Sequence, residues 1–288
     1  MTKRLKATWW YEPNFGDALN PYLLEKLSGY KVEYCPEHRP FFKVELRRFL
    51  SNPLYFDRNR LKWPETKEPV IMAIGSMLEH ARPNYHIWGT GFLRESGKCA
   101  GGTFYAVRGK YTSQKLVEQG FPRCDVYGDP ALLLPLVYPQ KQLKCKAPDK
   151  VLGIIPHYAD YFEVNNSFPN QRVINLNTYE VESVIDQFLR CEYILSSSLH
   201  GLIVAHAYGI PALWIHGNGT GNDNIKFFDY FSSVDIPLYK GNYSFSQFLF
   251  PKYHELPSDI RSLMLPSRKI IAQIQSNLLK VAPFDVKI

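Results

Sequence analysis

Residues 191–215, CEYILSSSLHGLIVAHAYGIPALWI, bring together the residue types needed for acid–base chemistry. An apolar run, Tyr193-Ile194-Leu195, meets three serines. Leu199-His200-Gly201 then open an apolar segment that stops at Gly209-Ile210-Pro211. That order predicts a strand, a helix N-cap, a helix, a glycine stop and a further strand. His200 then sits in the first turn of a helix, where unpaired N–H groups and the helix dipole favour an anion. An imidazole beside such a site suits acid–base chemistry on a phosphorylated or carboxylated substrate. A packed structural histidine is the plainer reading of the same spacing. His206, flanked by Ala205 and Ala207, is expected inside the core.

Other candidates lie where predicted strands end. Asn14-Phe15-Gly16-Asp17 precedes the first helix, where Gly16 permits close backbone approach. Asp17 either caps that helix or orients a substrate hydroxyl or catalytic group in a cleft. Arg108, in Ala106-Val107-Arg108-Gly109-Lys110, offers a planar fork for a carboxylate or phosphate, or is an ordinary surface arginine. Gly128-Asp129-Pro130 is either a turn or a second carboxylate at the cleft. His216-Gly217-Asn218-Gly219-Thr220-Gly221 resembles a phosphate cradle only loosely, since it meets neither the dinucleotide nor the P-loop consensus. Lys226 follows it and can add a cation.

Strand-like and helical runs alternate through the chain. Strands are expected at Lys6–Trp10, Pro69–Ile74, Tyr85–Trp88, Thr103–Val107, Val151–Ile155 and Arg172–Leu176. Helices are expected at Asp17–Leu27, Tyr111–Gln119, Val181–Arg190, Ile225–Phe231 and Ser267–Val281. Such alternation implies parallel sheets with ligands bound beyond the strand C-terminal ends. The expected architecture is α/β, with two Rossmann-like domains facing a cleft. Residues 1–140 form the N-terminal domain and 150–288 the C-terminal one, with the polar, basic stretch around Gln140–Lys150 as linker. Pro36–Glu68 interrupts the pattern with eight Lys or Arg against five acids, interleaved with aromatics. There Phe42, Leu46, Phe49 and Leu50 share a helical face with Lys43, Arg47 and Arg48 around it. Such a helix either lies on an anionic membrane or packs on the sheet with solvated charges.

Hydrophobic residues make up 45% of the 288, enough for a real core and against disorder. The net charge of +7 points to acidic partners. Aromatics at 15% suit carbohydrate stacking and core packing equally. Five scattered cysteines without a CxxC pair argue against a disulfide framework or zinc site, and fit a reducing cytosol. No secretory signal or membrane-spanning run is present in the sequence, so a cytoplasmic, at most membrane-peripheral, protein is expected.

In order along the chain, NFGDALNPYLL, AIGS, WGTGF, AVRGKYTSQKL, GDPALLLP and SSSLHGLIVAHAYGIPALWI resemble the polysaccharide pyruvyl transferase family. The nearest likeness is to the bacterial exopolysaccharide ketal-pyruvate enzymes. The resemblance implies a GT-B-like pair of domains. It also implies transfer of the enolpyruvyl group of phosphoenolpyruvate to a sugar, usually as a cyclic ketal. On that resemblance Arg108 matches the arginine that grips phosphoenolpyruvate and His200 the histidine of its donor site, and Ser198, Leu199 and Lys226 are expected to bind the donor beside them. His200 is then expected as the catalytic general acid/base and Arg108 on the carboxylate, with Asp17 or Asp129 orienting the acceptor hydroxyl beside Asn14 and Gly16. Ser198 departs from the family pattern, which reads SRLHG where this chain reads SSLHG. Phosphate neutralisation then falls to Lys110, Lys226 and the helix N-terminus. No metal and no cofactor beyond the donor substrate is expected. The acceptor would be a lipid-linked oligosaccharide at the inner membrane face, which the Pro36–Glu68 patch would suit.

Two other classes fit parts of the pattern. A GT-B glycosyltransferase would bind a nucleotide sugar. A non-catalytic carbohydrate-binding protein would bind sugar without dependence on Arg108 or His200. Nucleic-acid binding is not expected: the charge is modest and no recognised motif is present.

Overall fold

A computed structural model of the chain describes residues 4–36, 45, 49–50, 57–62, 67–140, 151–217, 223–250 and 252–288. Most of the basic aromatic stretch, including Lys43, Arg47 and Arg48, lies outside the described residues. So do residues 141–150 of the expected linker and residues 218–222 of the glycine-rich loop.

The first half builds a five-stranded sheet from β1 (Arg4–Ala7), β2 (Lys31–Tyr34), β3 (Val70–Met72), β4 (Tyr85–Trp88) and β5 (Thr103–Ala106), in the order β2-β1-β3-β4-β5. The second half builds a four-stranded sheet from β6 (Val151–Ile155), β7 (Arg172–Val173), β8 (Cys191–Ser196) and β9 (Ala212–Trp214), in the order β7-β6-β8-β9. Every pairing is parallel. The fold is therefore α/β with parallel sheets, as the alternation predicts. In both sheets the order reverses at the first strand, so the loops after β1, β3, β6 and β8 open a crevice at the C-terminal edges.

The longer helices are α1 (Phe15–Ser28), α2 (Lys110–Glu118), α3 (Tyr161–Ser167), α4 (Val181–Phe188), α5 (Leu199–Ala207), α6 (Ile225–Val234) and α7 (Arg268–Lys280). Helix α1 starts where the Asn14 side chain accepts from the Gly16 and Asp17 N–H groups, and stops at Gly29, whose φ of 68° suits glycine. The buried amide of Asn20 ties α1 to the chain after β3. It donates to the Ile74 carbonyl at 3.0 Å and accepts from the Ile74 N–H at 2.9 Å. In α4, Val181, Val184, Ile185 and Phe188 are buried at helical spacing. Each contributes about 1.5–3 kcal/mol.

The two sheets share one buried apolar cluster, running from Phe15, Leu23 and Trp88 to Ile194, Leu202 and Phe231. Near the crevice, Phe15 stacks on Phe188 with centroids 5.9 Å apart, and its N–H donates to the Leu176 carbonyl at 2.8 Å. The last helix returns to the first half. Trp88 Nε1 donates to the Leu278 carbonyl at 3.0 Å, and Gln275 Nε2 to the Leu132 carbonyl at 2.7 Å. Helix α1 and the loops around it are thus held from three sides. Among the described residues, no helix is long and apolar enough to cross a membrane.

Candidate active site

A cavity of about 290 Å³ opens at the crevice. Asn14 and Asp17 reach it from the N-terminus of α1, Ser198, Leu199 and His200 from that of α5, and Lys226 from the first turn of α6. Helix N-termini from both halves therefore converge on one space, with a cation beside them. The first N–H groups of α1 are taken by Asn14 and by the Leu176 carbonyl, whereas the start of α5 has no side-chain cap, so its N–H groups and Lys226 are what can hold an anion there.

His200 depends on Gly16. A Cβ placed on Gly16 would lie 2.0 Å from His200 Nδ1, so only glycine allows α1 and the imidazole to approach this closely. Asp17 Oδ1 accepts from the Trp10 N–H at 3.1 Å, which draws Trp10 over the cavity mouth. Of the three serines, Ser196 donates to the Ile155 carbonyl at 2.9 Å, and Ser197 Oγ accepts from the His157 N–H at 2.8 Å. The Ser198 hydroxyl makes no cap hydrogen bond and lines the cavity.

Arg108 and Asp129 do not line the cavity; both are fully buried behind it. Arg108 Nε donates to Asp229 Oδ2 at 3.0 Å, Nη2 to the Phe92 carbonyl at 2.8 Å and Nη1 to Ser76 Oγ at 2.5 Å. Ser76 lines the cavity, so the guanidinium reaches it through that hydroxyl. Asp129 Oδ1 accepts from the Ala131 N–H at 2.9 Å. Its Oδ2 and His200 Nε2 are both buried without a hydrogen-bond partner, 4.0 Å apart. Closure by about 1 Å would join them. Lys110 lies elsewhere, 59% exposed and 3.6 Å from Asp235. His206 is packed, as expected: Nδ1 is 2.9 Å from the Tyr230 hydroxyl and Nε2 3.0 Å from the Met264 carbonyl.

Burial, then the positive charges of Arg108 and Lys226, push the His200 pKa down to about 3. Burial raises that of Asp129 to about 7 against the pull of the Ala131 N–H and Arg108. Lys226 is lowered to about 8 by burial and then by Arg108. These opposed shifts predict a pH signature. Asp129 gives stability that is complete below 3.8 and lost as pH rises through about 7. His200 gives stability that is present above 6.5 and lost as pH falls towards about 3. Between about pH 4 and 6.5 the two slopes cancel. Half-buried His157 and buried His206, both lowered to about 4, add slopes of the same sign as His200, so the pair is read as a difference from wild type. Asp129→Asn should steepen the rise of stability with pH there by up to about 1.4 kcal/mol per unit. His200→Gln should flatten it by as much relative to wild type. Urea melts across that range check both, and parallel profiles for the two variants would remove the pair.

Sequence reading missed Trp10, Ser76, His157 and Tyr158, which all line the cavity. Ser76 and His157 follow the ends of β3 and β6, so the rule that ligands sit beyond parallel strands marks them. Asp229, the partner of Arg108, gave no such signal.

The sequence pattern of the family described as polysaccharide pyruvyl transferase matches residues 14–217, most of the chain. The chain belongs to the polysaccharide pyruvyl transferase family. The matched span begins at the Asn14 cap and includes Arg108, Asp129 and His200; Lys226 lies beyond it. The chain is also 36% identical over 180 residues to uncharacterized protein L143 of Acanthamoeba polyphaga mimivirus, covering 58% of this chain and 61% of that protein. Among solved structures, the glycosyltransferase SnogD from Streptomyces nogalater aligns over 98% of this chain and 97% of its own, with 11% identity and a TM-score of 0.42.

Proposed function

We propose that this pyruvyl transferase family member moves the enolpyruvyl group of phosphoenolpyruvate onto a sugar of a polysaccharide repeat unit and closes it as a pyruvate ketal. The observation that carries the reading is the uncapped N-terminus of α5 meeting Lys226 on the cavity that holds His200. Phosphoenolpyruvate is a small trianion near neutral pH, and helix N–H groups, the Ser198 and Ser76 hydroxyls and Lys226 match its two acidic ends. Ser76 accepts from Arg108, which turns its own O–H towards the donor. Arg108 supplies positive charge from beneath. In a two-domain, GT-B-like division of labour, the second half supplies most of the donor site, completed by Ser76 and Arg108, and the first half admits the acceptor.

His200 is neutral in the empty site, so the proton for the reaction rests on Asp129. Arrival of an anion beside the imidazole favours the imidazolium and draws that proton across. His200 protonates the methylene carbon and leaves an oxocarbenium-like centre at the neighbouring carbon. An acceptor hydroxyl attacks that centre, and its proton returns to His200. Phosphate departs with the electrons of its C–O bond, and a second hydroxyl closes the ketal. Of the two hydroxyl protons, one balances the new methyl group and the other leaves with phosphate.

Thermal stability with phosphoenolpyruvate, or with a panel of nucleotide sugars, tests the donor. Phosphoenolpyruvate at ~100 times its dissociation constant should stabilise by about 2.7 kcal/mol, and Lys226→Ala should remove most of that at the same concentration. Affinity should fall above about pH 8 as Lys226 loses its proton, and Lys226→Arg should carry it to higher pH. Stabilisation by a nucleotide sugar alone would overturn the reading.

A further inference from the structure

A second cavity, of about 530 Å³, lies beside the first and has the opposite chemistry. Its walls are Trp9, Tyr11, Tyr22 and Tyr179, with Ala18 and Pro21 of α1 between them. Its charged lining residues among those described are Asp57, Glu180 and Glu182, with no lysine or arginine among the described residues lining it. In a chain of net charge +7, an acidic pocket one helical turn from an anion site is not part of that site.

The aromatic rings are fixed in place. Trp9 meets Tyr34 edge-on with centroids 4.8 Å apart, and Tyr11 lies 4.2 Å from Tyr34. Asn59 Nδ2 donates to the Tyr11 hydroxyl at 3.0 Å, and Asp57 Oδ1 accepts from the Asn59 N–H at 2.8 Å. Across the cavity, the Tyr22 hydroxyl donates to Glu182 Oε1 at 3.0 Å. Tyr179 is 50% exposed at the mouth. Rigid aromatic faces bordered by carboxylates fit a polyol: C–H faces lie on the rings and hydroxyls donate to the carboxylates. Glu182 is already paired with Lys26 Nζ at 3.6 Å, and the described lining offers a phosphate or carboxylate ligand no cation of its own.

We propose that this cavity binds a neutral saccharide and presents it to the His200 cavity as the acceptor chain. The presentation step rests on the transferase reading above. The two cavities share their wall: Trp10 and Asp17 line one, while Trp9, Tyr11 and Ala18 line the other. On the far side, Trp9, Tyr11 and Pro21 also line a groove of about 290 Å³ with Tyr34 and Asn59. The surface therefore continues past one sugar ring, and an oligosaccharide binds more tightly than its monosaccharide.

The test is titration of the full chain with neutral tetrasaccharides of glucose, galactose and mannose and with the monosaccharides, followed by tryptophan fluorescence. At least one tetrasaccharide should bind more tightly than its monosaccharide. Tyr179→Ala should weaken it about tenfold, the loss expected of one stacking ring. Glu182→Gln, which keeps the side-chain shape, should also weaken it. Neither variant should change the thermal shift with phosphoenolpyruvate. Binding unaltered in both folded variants, or no tetrasaccharide bound at millimolar concentration, overturns the proposal. Tyr179-dependent saccharide binding without any phosphoenolpyruvate shift would keep this site and remove the donor assignment instead.

Discussion

Arg108→Ala should destabilise the fold by about 3–5 kcal/mol, because it leaves the Asp229 carboxylate buried without its counter-charge. Both side chains are fully buried. Asp229 accepts from Arg108 Nε at 3.0 Å, from the Thr112 N–H at 2.9 Å and from the Thr112 hydroxyl at 2.7 Å. The space for this pair is set by glycine: a Cβ on Gly109 would lie 1.8 Å from the Asp229 carbonyl oxygen. At roughly 2–4 °C per kcal/mol for a chain of this size, the melting temperature should fall by about 6–20 °C. Arg108→Met combined with Asp229→Asn should recover much of the loss, since it removes the stranded charge and keeps the bonds to Thr112. A single variant within about 1 kcal/mol of wild type would show that the pair is not what holds α2 to α6. The consequence reaches the enzymology. An Arg108 variant loses activity through the fold whether or not the guanidinium touches substrate, so Lys226→Ala is the cleaner probe of donor binding.

The fold was legible wherever periodicity alone decides it. Val151–Ile155 and Tyr85–Trp88 form strands at the predicted residues, and α1, α4 and α7 depart from expectation by at most two residues at either end. The first strand ends earlier than predicted, at Ala7, because Trp9 and Tyr11 leave the ladder for a cluster with Tyr34. β2 was not anticipated: Lys31-Val32-Glu33-Tyr34 is an edge strand whose charges guard an open side, and such a pattern reads as loop. The site divides along the same line. Asn14, Asp17, Ser198 and His200 mark themselves as residues at helix starts. The Arg108–Asp229 pair does not, since its members stand 121 residues apart and packing alone joins them.

His200→Ala should lower turnover by about 10²–10⁴-fold with the fold intact, as loss of a general acid–base does. Gly16→Ala should come close to it without touching the imidazole chemically. The added methyl would lie 2.0 Å from Nδ1, so either the ring or the start of α1 must shift. A displacement of about 1 Å at a reacting group costs on the order of 10²-fold. If Gly16 acts only by seating the imidazole, the double variant should be no slower than His200→Ala alone. Phosphate release from phosphoenolpyruvate with a sugar acceptor measures all three, with melting curves run alongside. Full turnover in a folded His200→Ala protein would take the imidazole out of the chemistry. Additive losses would instead give Gly16 a role of its own, through the placing of Asn14 and Asp17, which line the cavity from the start of α1. Either result separates the two helix starts, because the histidine belongs to one and the glycine to the other.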